Sequence, residues 1–251
     1  MKIDRRAVLQ QFKGYVERFT GIDEGVPLKY EHSLRVCVLC EEIAKSLGLP
    51  PEDVDLAWLI GVLHDIGRFE QLKEFHTFVD YKSMDHAKYG ADYLFNRGHI
   101  RDFVAEASED GVICAAIANH NAYAIGAGLS KRQQLFAKLV RDADKTDIFR
   151  VYVSYITSDM PVWKKRQQAL KTEDLSPAVI QQARAHTLVR TQDKKTYIDF
   201  FVGMLCLYFD LNYPHTREIV KRQGYFQKLV DFHADNPRTE AFLNELRPCF
   251  H

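Results

Sequence analysis

The chain has 251 residues, 46% of them hydrophobic and 27% charged, with 34 Lys and Arg balanced by 34 Asp and Glu. This length supplies a core for one domain, or for one domain with a helical extension, and the composition excludes a disordered chain. Zero net charge removes the long-range field that would draw the chain onto nucleic acid backbones or anionic membranes, which leaves a small molecule as the expected partner.

The opening segment, MKIDRRAVLQQFKG, carries charge but no apolar run of signal-peptide length behind it, so the expected compartment is the cytoplasm. No stretch reaches the roughly 20 apolar residues that span a bilayer. Helical periodicity dominates and no alternating run bounded by turn residues appears, so the expected fold is all-α. Leu28, His32, Val36, Leu39 and Ile43 fall on one face of a helix ending near Leu47 and Gly48. Cys37 and Cys40 form a C-x-x-C inside this pattern with no second pair, which reads as buried structural cysteine. Pro50 and Pro51 with Glu52 and Asp53 open the next helix, which should bury Leu56, Leu59, Ile60 and Leu63.

Gly67 is then expected to stop the pattern, with residues 68–84 as a long loop. Asp85 is the expected N-cap of a helix through Tyr89, Tyr93 and Leu94, closed by Gly98. Further helices are expected over residues 111–120 and 130–155, then over 176–191, 195–211, 214–234 and 238–246. The expected organisation is a single all-helical domain over 1–251, with a core at about 25–150 and a C-terminal helical extension at about 151–251. The extension carries no chemical constellation and is assigned to covering the core, shaping the pocket or forming a homodimer.

Four histidines and two aspartates stand out: His32, the doublet His64-Asp65, His86, His120 and Asp144. Each lies on an apolar helical stripe that should turn it inward. Adjacent residues diverge by about 100° on a helix, so a His-Asp doublet can grip one ion chiefly at a helix end. In RDADKTDIF, Asp144 continues the row Phe136, Val140, Ile148, whereas Asp142 and Asp147 fall off it. Six N and O donors without a thiolate suit iron, manganese, zinc or another divalent first-row ion. Two such ions close together can clamp a phosphoryl group and ionise the attacking water.

The ordered set H…HD…H…H…D resembles the HD family of metal-dependent phosphohydrolases, in particular its subset with two-metal sites. The resemblance covers about 27–149 and rests on EHSLRV, LIGVLHDIGRFEQ and RDADKTDI. It implies an HD-domain helical bundle with additional C-terminal helices and two divalent ions, drawn from Fe, Mn, Zn, Co, Ni or Mg. One would be held by His32, His64, Asp65 and Asp144, the other by Asp65, His86 and His120. The implied activity is hydrolysis of a nucleotide or other small phosphoester, with a metal-bound hydroxide held against Asp65 and the leaving-group charge met by metal and Arg68.

Two departures narrow that expectation. The glycine-tyrosine-proline signature of cyclic di-GMP phosphodiesterases is absent after His120, where the chain reads HNAYAIGAG. The acidic residue that some nucleotidase members carry three positions after the doublet is replaced by Arg68, a cation suited to phosphate oxygens. Arg35, Arg68 and Lys145 are the candidate phosphate contacts, although internal ion pairs of Arg68 with Glu70 and Lys145 with Asp142 would consume two of them. The remaining histidines, His76, His99, His186, His215, His233 and His251, read as solvated or locally hydrogen-bonded. Two other functions share the ligand set: a mixed-valent di-iron oxygenase of the HD superfamily, and a non-catalytic nucleotide-binding sensor.

Overall fold

Helices dominate the described chain, and no strand forms among the described residues. The structure is a computed structural model describing residues 1–250, so the reading of His251 lies outside the described residues. The chain divides into two compact units, Met1–Asp144 and Lys145–His251. No helix among the described residues is long and apolar enough to cross a membrane.

The first unit begins with α1 (Arg5–Glu17), started by the Asp4 carboxylate, which accepts the backbone N–H groups of Arg6 and Ala7. The sequence reading assigned no element here, yet Val8, Phe12, Tyr15 and Val16 recur at helical spacing and are buried. Helix α2 (Gly25–Ser46) buries His32, Val36, Leu39 and Ile43. Leu28, expected on the same stripe, is instead 50% exposed, because the first turn of α2 packs through Val26, about 200° away around the helix. Helix α3 (Pro51–Leu63) carries Pro51 and two acids in its first turn and is buried nearly all round. Arg5 ties these three helices together, pairing with Glu41 at 2.6 Å and Asp55 at 2.7 Å.

The chain turns at His64 and Asp65, and helix α4 (Ile66–Phe75) follows at once. The expected long loop over 68–84 is therefore half helix, and Gly67 sits inside α4 rather than ending α3. Its role is contact. A Cβ at Gly67 would lie 2.2 Å from the His86 carbonyl oxygen and 2.7 Å from the Gly90 nitrogen, so α4 and α5 (His86–Ala91) meet backbone to backbone. Gly61 does the same between α3 and α2, where a Cβ would lie 2.6 Å from Cys37 Cα.

Asp85 caps α5 through the Ala87 and Lys88 N–H groups, as its position before the helix suggests. A π-turn over Asp92–Asn96 continues it to Gly98. Helix α6 (Asp110–Asn119) and α7 (Lys131–Ile156) follow. Arg132 fixes the start of α7 by pairing with Asp53 at 2.6 Å and Glu109 at 3.0 Å.

The second unit holds the end of α7 with α8 (Pro161–Thr172), α9 (Pro177–Arg184), α10 (Tyr197–Leu205), α11 (Pro214–Gln223), α12 (Tyr225–Val230) and α13 (Pro237–Leu246). Its core gathers Phe149, Val179, Ile198, Phe201, Val202, Leu205 and Leu229. Several of these helices are shorter than their periodicity predicts. Residues 214–234 are interrupted at Gly224, which stands at φ 69° and separates α11 from α12. The segment expected to reach 191 ends at Arg184.

Candidate metal centre

Five elements of the first unit deliver the sequence-selected donors to one place. His32 comes from the middle of α2, His64 and Asp65 from the turn between α3 and α4, and His86 from the first position of α5. His120 comes from the C-terminal end of α6 and Asp144 from α7. The four histidines and Asp65 are all at most 3% exposed. The glycine contacts explain the convergence, because Gly61 lies one turn before His64 and Gly67 touches the carbonyl of His86 itself.

Asp65 is central and divides its two oxygens. On one side its Oδ2 lies 3.7 Å from His32 Nε2 and 3.8 Å from His64 Nε2. Those two nitrogens are 3.3 Å apart, and Asp144 Oδ1 lies 3.0 Å from His32 Nε2 and 3.6 Å from His64 Nε2. On the other side Asp65 Oδ1 lies 3.2 Å from His86 Nε2 and 3.6 Å from His120 Nε2. Asp142 and Asp147 are also buried, so distance to the imidazoles, not burial, singles out Asp144.

The tautomers test whether this donor set suits a cation. His64 Nδ1 donates to the Gly61 carbonyl and His120 Nδ1 to the Ile117 carbonyl, each at 2.8 Å. His86 Nδ1 faces Asp80 Oδ2 at 2.7 Å, and an ionised carboxylate can only accept. In the one-proton form of each of these rings the proton therefore sits on Nδ1, and Nε2 presents a lone pair. His86 Nε2 and His120 Nε2 nevertheless lie 3.0 Å apart, two acceptors at hydrogen-bond distance with no hydrogen to share. Ligand nitrogens on one ion with bonds of about 2.1 Å stand about 3.0–3.4 Å apart for angles between square and tetrahedral, so the spacing fits a shared cation. Three groups of side chains could hold an ion: His32, His64 and Asp144; His64, Asp65 and His120; and Asp80, Asp85 and His86.

Electrostatics keep the carboxylates charged. Burial pushes the Asp65 carboxyl up, but Lys29, His64, His120 and His86 outweigh it and hold the group well below the usual carboxylate range. Burial likewise opposes ionisation of Asp144, and the adjacent His32 and His64 rings prevail, holding it well below the usual carboxylate range. His120 is pushed down to about 4, chiefly by burial and against the pull of Asp65, which favours the neutral ring that a metal requires.

The candidate phosphate contacts are all engaged. Arg68 Nη1 donates to Asp80 Oδ1 and the Phe78 carbonyl at 2.5 Å and to Gln71 at 2.9 Å, so its carboxylate partner is Asp80, not Glu70. Its buried Nε makes no hydrogen bond and lies 3.7 Å from Asp65 Oδ1. Lys145 is buried and pairs with Asp210 at 2.8 Å, within the second unit. Arg35 reaches Glu31 at 3.4 Å on the same helix. Among the other histidines, His99, His215 and His233 pair with the nearby carboxylates of Asp102, Glu218 and Glu240.

Several contributors escaped the sequence reading. Lys29 Nζ lies 2.8 Å from Asp65 Oδ2, and its place one turn before His32 was a usable signal. Arg141, 2% exposed, donates to the carbonyls of Asn119 at 2.8 Å and Ala122 at 2.5 Å, which anchors the end of α6 next to His120. Asp80 and Gln71 had no periodic pattern to announce them.

A comparison of the chain with family models now has a geometry to meet. Residues 30–148 match the HD domain. The matched segment contains all six sequence-selected donors, from His32 to Asp144. The match spans a little under half of the chain and supports the HD-domain family over that segment. No curated protein and no solved structure matches the chain.

Proposed function

We propose that the chain is a metal-dependent phosphohydrolase that acts on a nucleotide or other small phosphoester at a dinuclear centre. The observation that carries this reading is the division of Asp65, one oxygen toward His32 and His64 and the other toward His86 and His120. A carboxylate bridging two ions uses its oxygens in this way. His32, His64, Asp65 and Asp144 would hold one ion, and Asp65, His86 and His120 the other. Bound divalent ions supply positive charge to phosphoryl oxygens and lower the pKa of water toward neutrality.

The chain's own residues do the rest. Backbone carbonyls at Gly61 and Ile117 keep the lone pairs of His64 and His120 aimed inward. Lys29 offsets the charge of Asp65 while itself 27% exposed, so it stands at the mouth of the centre where an anion would arrive. Arg68 presents a buried Nε next to Asp65 while its other end is tied down, which suits a fixed contact to a phosphoryl oxygen. Arg35 and Lys145 remain candidate phosphate contacts that would first have to leave their carboxylate partners.

The test combines metal analysis with turnover. Gently purified protein should carry two ions per chain, and protein loaded with manganese, iron, cobalt or nickel should release phosphate from members of a nucleotide panel. Inactivity of the loaded protein on both mono- and diesters would overturn the hydrolase. Oxygen consumption by the iron form, without phosphate release, would replace it by the oxygenase.

A further inference from the structure

The four imidazoles of the centre are not oriented by the same means, and the difference isolates one residue. His64 and His120 end helical segments, so each finds the carbonyl of the residue three positions earlier, Gly61 or Ile117, within 2.8 Å of its Nδ1. His86 opens its helix. The residue three positions before it, Ser83, lies outside the helix and supplies no such carbonyl. The chain fills that gap with a carboxylate from the connection between α4 and α5: Asp80 Oδ2 lies 2.7 Å, and Oδ1 3.0 Å, from His86 Nδ1.

The same carboxylate grips a second partner. Asp80 Oδ1 accepts from Arg68 Nη1 at 2.5 Å and from Gln71 Nε2 at 3.0 Å. Fully buried Gln71 also donates to Ser83 Oγ at 2.7 Å and to the Met84 carbonyl at 3.2 Å, and Arg68 donates to the Phe78 carbonyl at 2.5 Å, so the connection is pinned to α4 on both sides of Asp80. Asp80, Asp85 and His86 could between them hold an ion. The guanidinium already resting on Asp80 Oδ1 occupies that carboxylate with a fixed positive charge, which argues for an organising role over ligation.

We propose that Asp80 is a positioning residue that holds His86 in the Nδ1–H tautomer, so that Nε2 faces Asp65 and His120, and that fixes the Arg68 guanidinium at the edge of the same centre. Carboxylate, imidazole and ion then form a relay in which the outer acid sets both the direction and the basicity of the inner ligand. Arg68, the group that would meet phosphate, shares that acid. The Arg68 half of the proposal rests on the phosphohydrolase reading; the His86 half does not.

The experiment uses the full chain with ¹⁵N-labelled histidine, first without metal at pH 8, where long-range nitrogen–proton correlations report each ring's tautomer. In the parent protein His86 should carry its proton on Nδ1. In Asp80→Ala the proton should move to Nε2, toward the Asp65 oxygen 3.2 Å away. Manganese titration should then show one site weakened by about 10- to 100-fold and the other unchanged. Asp80→Asn keeps an acceptor for Nδ1–H but removes the charge from Arg68. It should retain the parent tautomer and both manganese sites while binding inorganic phosphate several-fold more weakly in the loaded protein. A parent-like tautomer and parent-like titration in Asp80→Ala would overturn the His86 role, and parent-like phosphate binding in Asp80→Asn would overturn the Arg68 role. Should Asp80→Ala lose its helical circular dichroism, Asp80→Asn decides: weaker phosphate binding with the parent tautomer supports the proposal, and unchanged binding overturns it. If the parent protein bound no metal and hydrolysed nothing, the dinuclear reading would fall, while the tautomer measurement on metal-free protein would still judge Asp80.

Discussion

Both units bury acids, but they satisfy them in opposite ways. In the second unit Asp199 accepts from the backbone N–H groups of Ser176 at 2.8 Å, Lys195 at 2.8 Å and Thr196 at 3.1 Å, and from the Ser176 hydroxyl at 2.7 Å. Glu240 similarly takes the Ala234 N–H at 2.8 Å and the Arg247 guanidinium at 3.0 Å. Every donor there belongs to the fold. In the first unit Asp65 takes one ammonium, Lys29 Nζ at 2.8 Å; otherwise Asp65 and Asp144 face imidazole nitrogens, and at least three of those rings point lone pairs inward. A buried acid met by N–H groups is finished. One met by lone pairs awaits a cation, and this contrast separates a fold-building acid from a ligand.

The contrast is easiest to break at Asp65. Asp65→Ala should lower phosphoester turnover by about a thousandfold, equivalent to about 4 kcal/mol of barrier. Metal analysis on the same sample should find at most one ion per chain. Thermal melting adds a check: chelation should cost the parent about 2.7 kcal/mol for each ion held at a hundred times its Kd, and this sensitivity should shrink in the variant. Asp199→Ala should leave metal content untouched.

Gly67→Ala comes next. The added methyl would overlap the His86 carbonyl, so α4 and α5 must separate, at a cost of about 1–3 kcal/mol in urea unfolding. Because His86 rides on the displaced helix, metal affinity should fall together with stability. Asp199→Ala should cost about 2 kcal/mol, since it removes a capping box and leaves buried N–H groups without partners. Its signature is loss of stability without loss of metal, the reverse of Asp65→Ala.

The smallest effect lies in acid. Burial alone would raise the Glu240 carboxyl, but Arg247, the Ala234 N–H and His233 hold it at about 2, below its ordinary 4.5. Its contribution is therefore complete above about 4.5 and disappears as pH falls toward 2. Melting temperatures between pH 5 and 2 should fall less steeply for Glu240→Gln than for the parent, with the two curves converging at the acid end.

The donors were legible in the sequence because they combine chemical rarity with helical register. The His64-Asp65 doublet needs a helix end, and the chain indeed turns there. Asp144 continues a row that Asp142 leaves, and its Oδ1 lies 3.0 Å from His32 Nε2. What failed were inferences from single residues. Gly67 looked like punctuation because glycine often ends helices, whereas here its missing side chain admits a neighbouring backbone. Leu28 fits the stripe by spacing, yet the first turn of its helix packs through Val26 instead. Asp80 lay in an irregular segment whose partners, His86 and Arg68, are set by three-dimensional closure rather than by any period.

Where α4 and α5 touch at Gly67 and Gly90, backbone meets backbone with only the Ile66 methyl beside it. Main chain resting on main chain is hard to compress, so the distance from Asp65 to His86 is held by bond lengths and atomic radii more than by how well the hydrophobic interior is filled. Replacements among the apolar residues around this centre can therefore accumulate with little drift in the gap offered to an incoming ion, while one added carbon at that joint would alter the gauge itself.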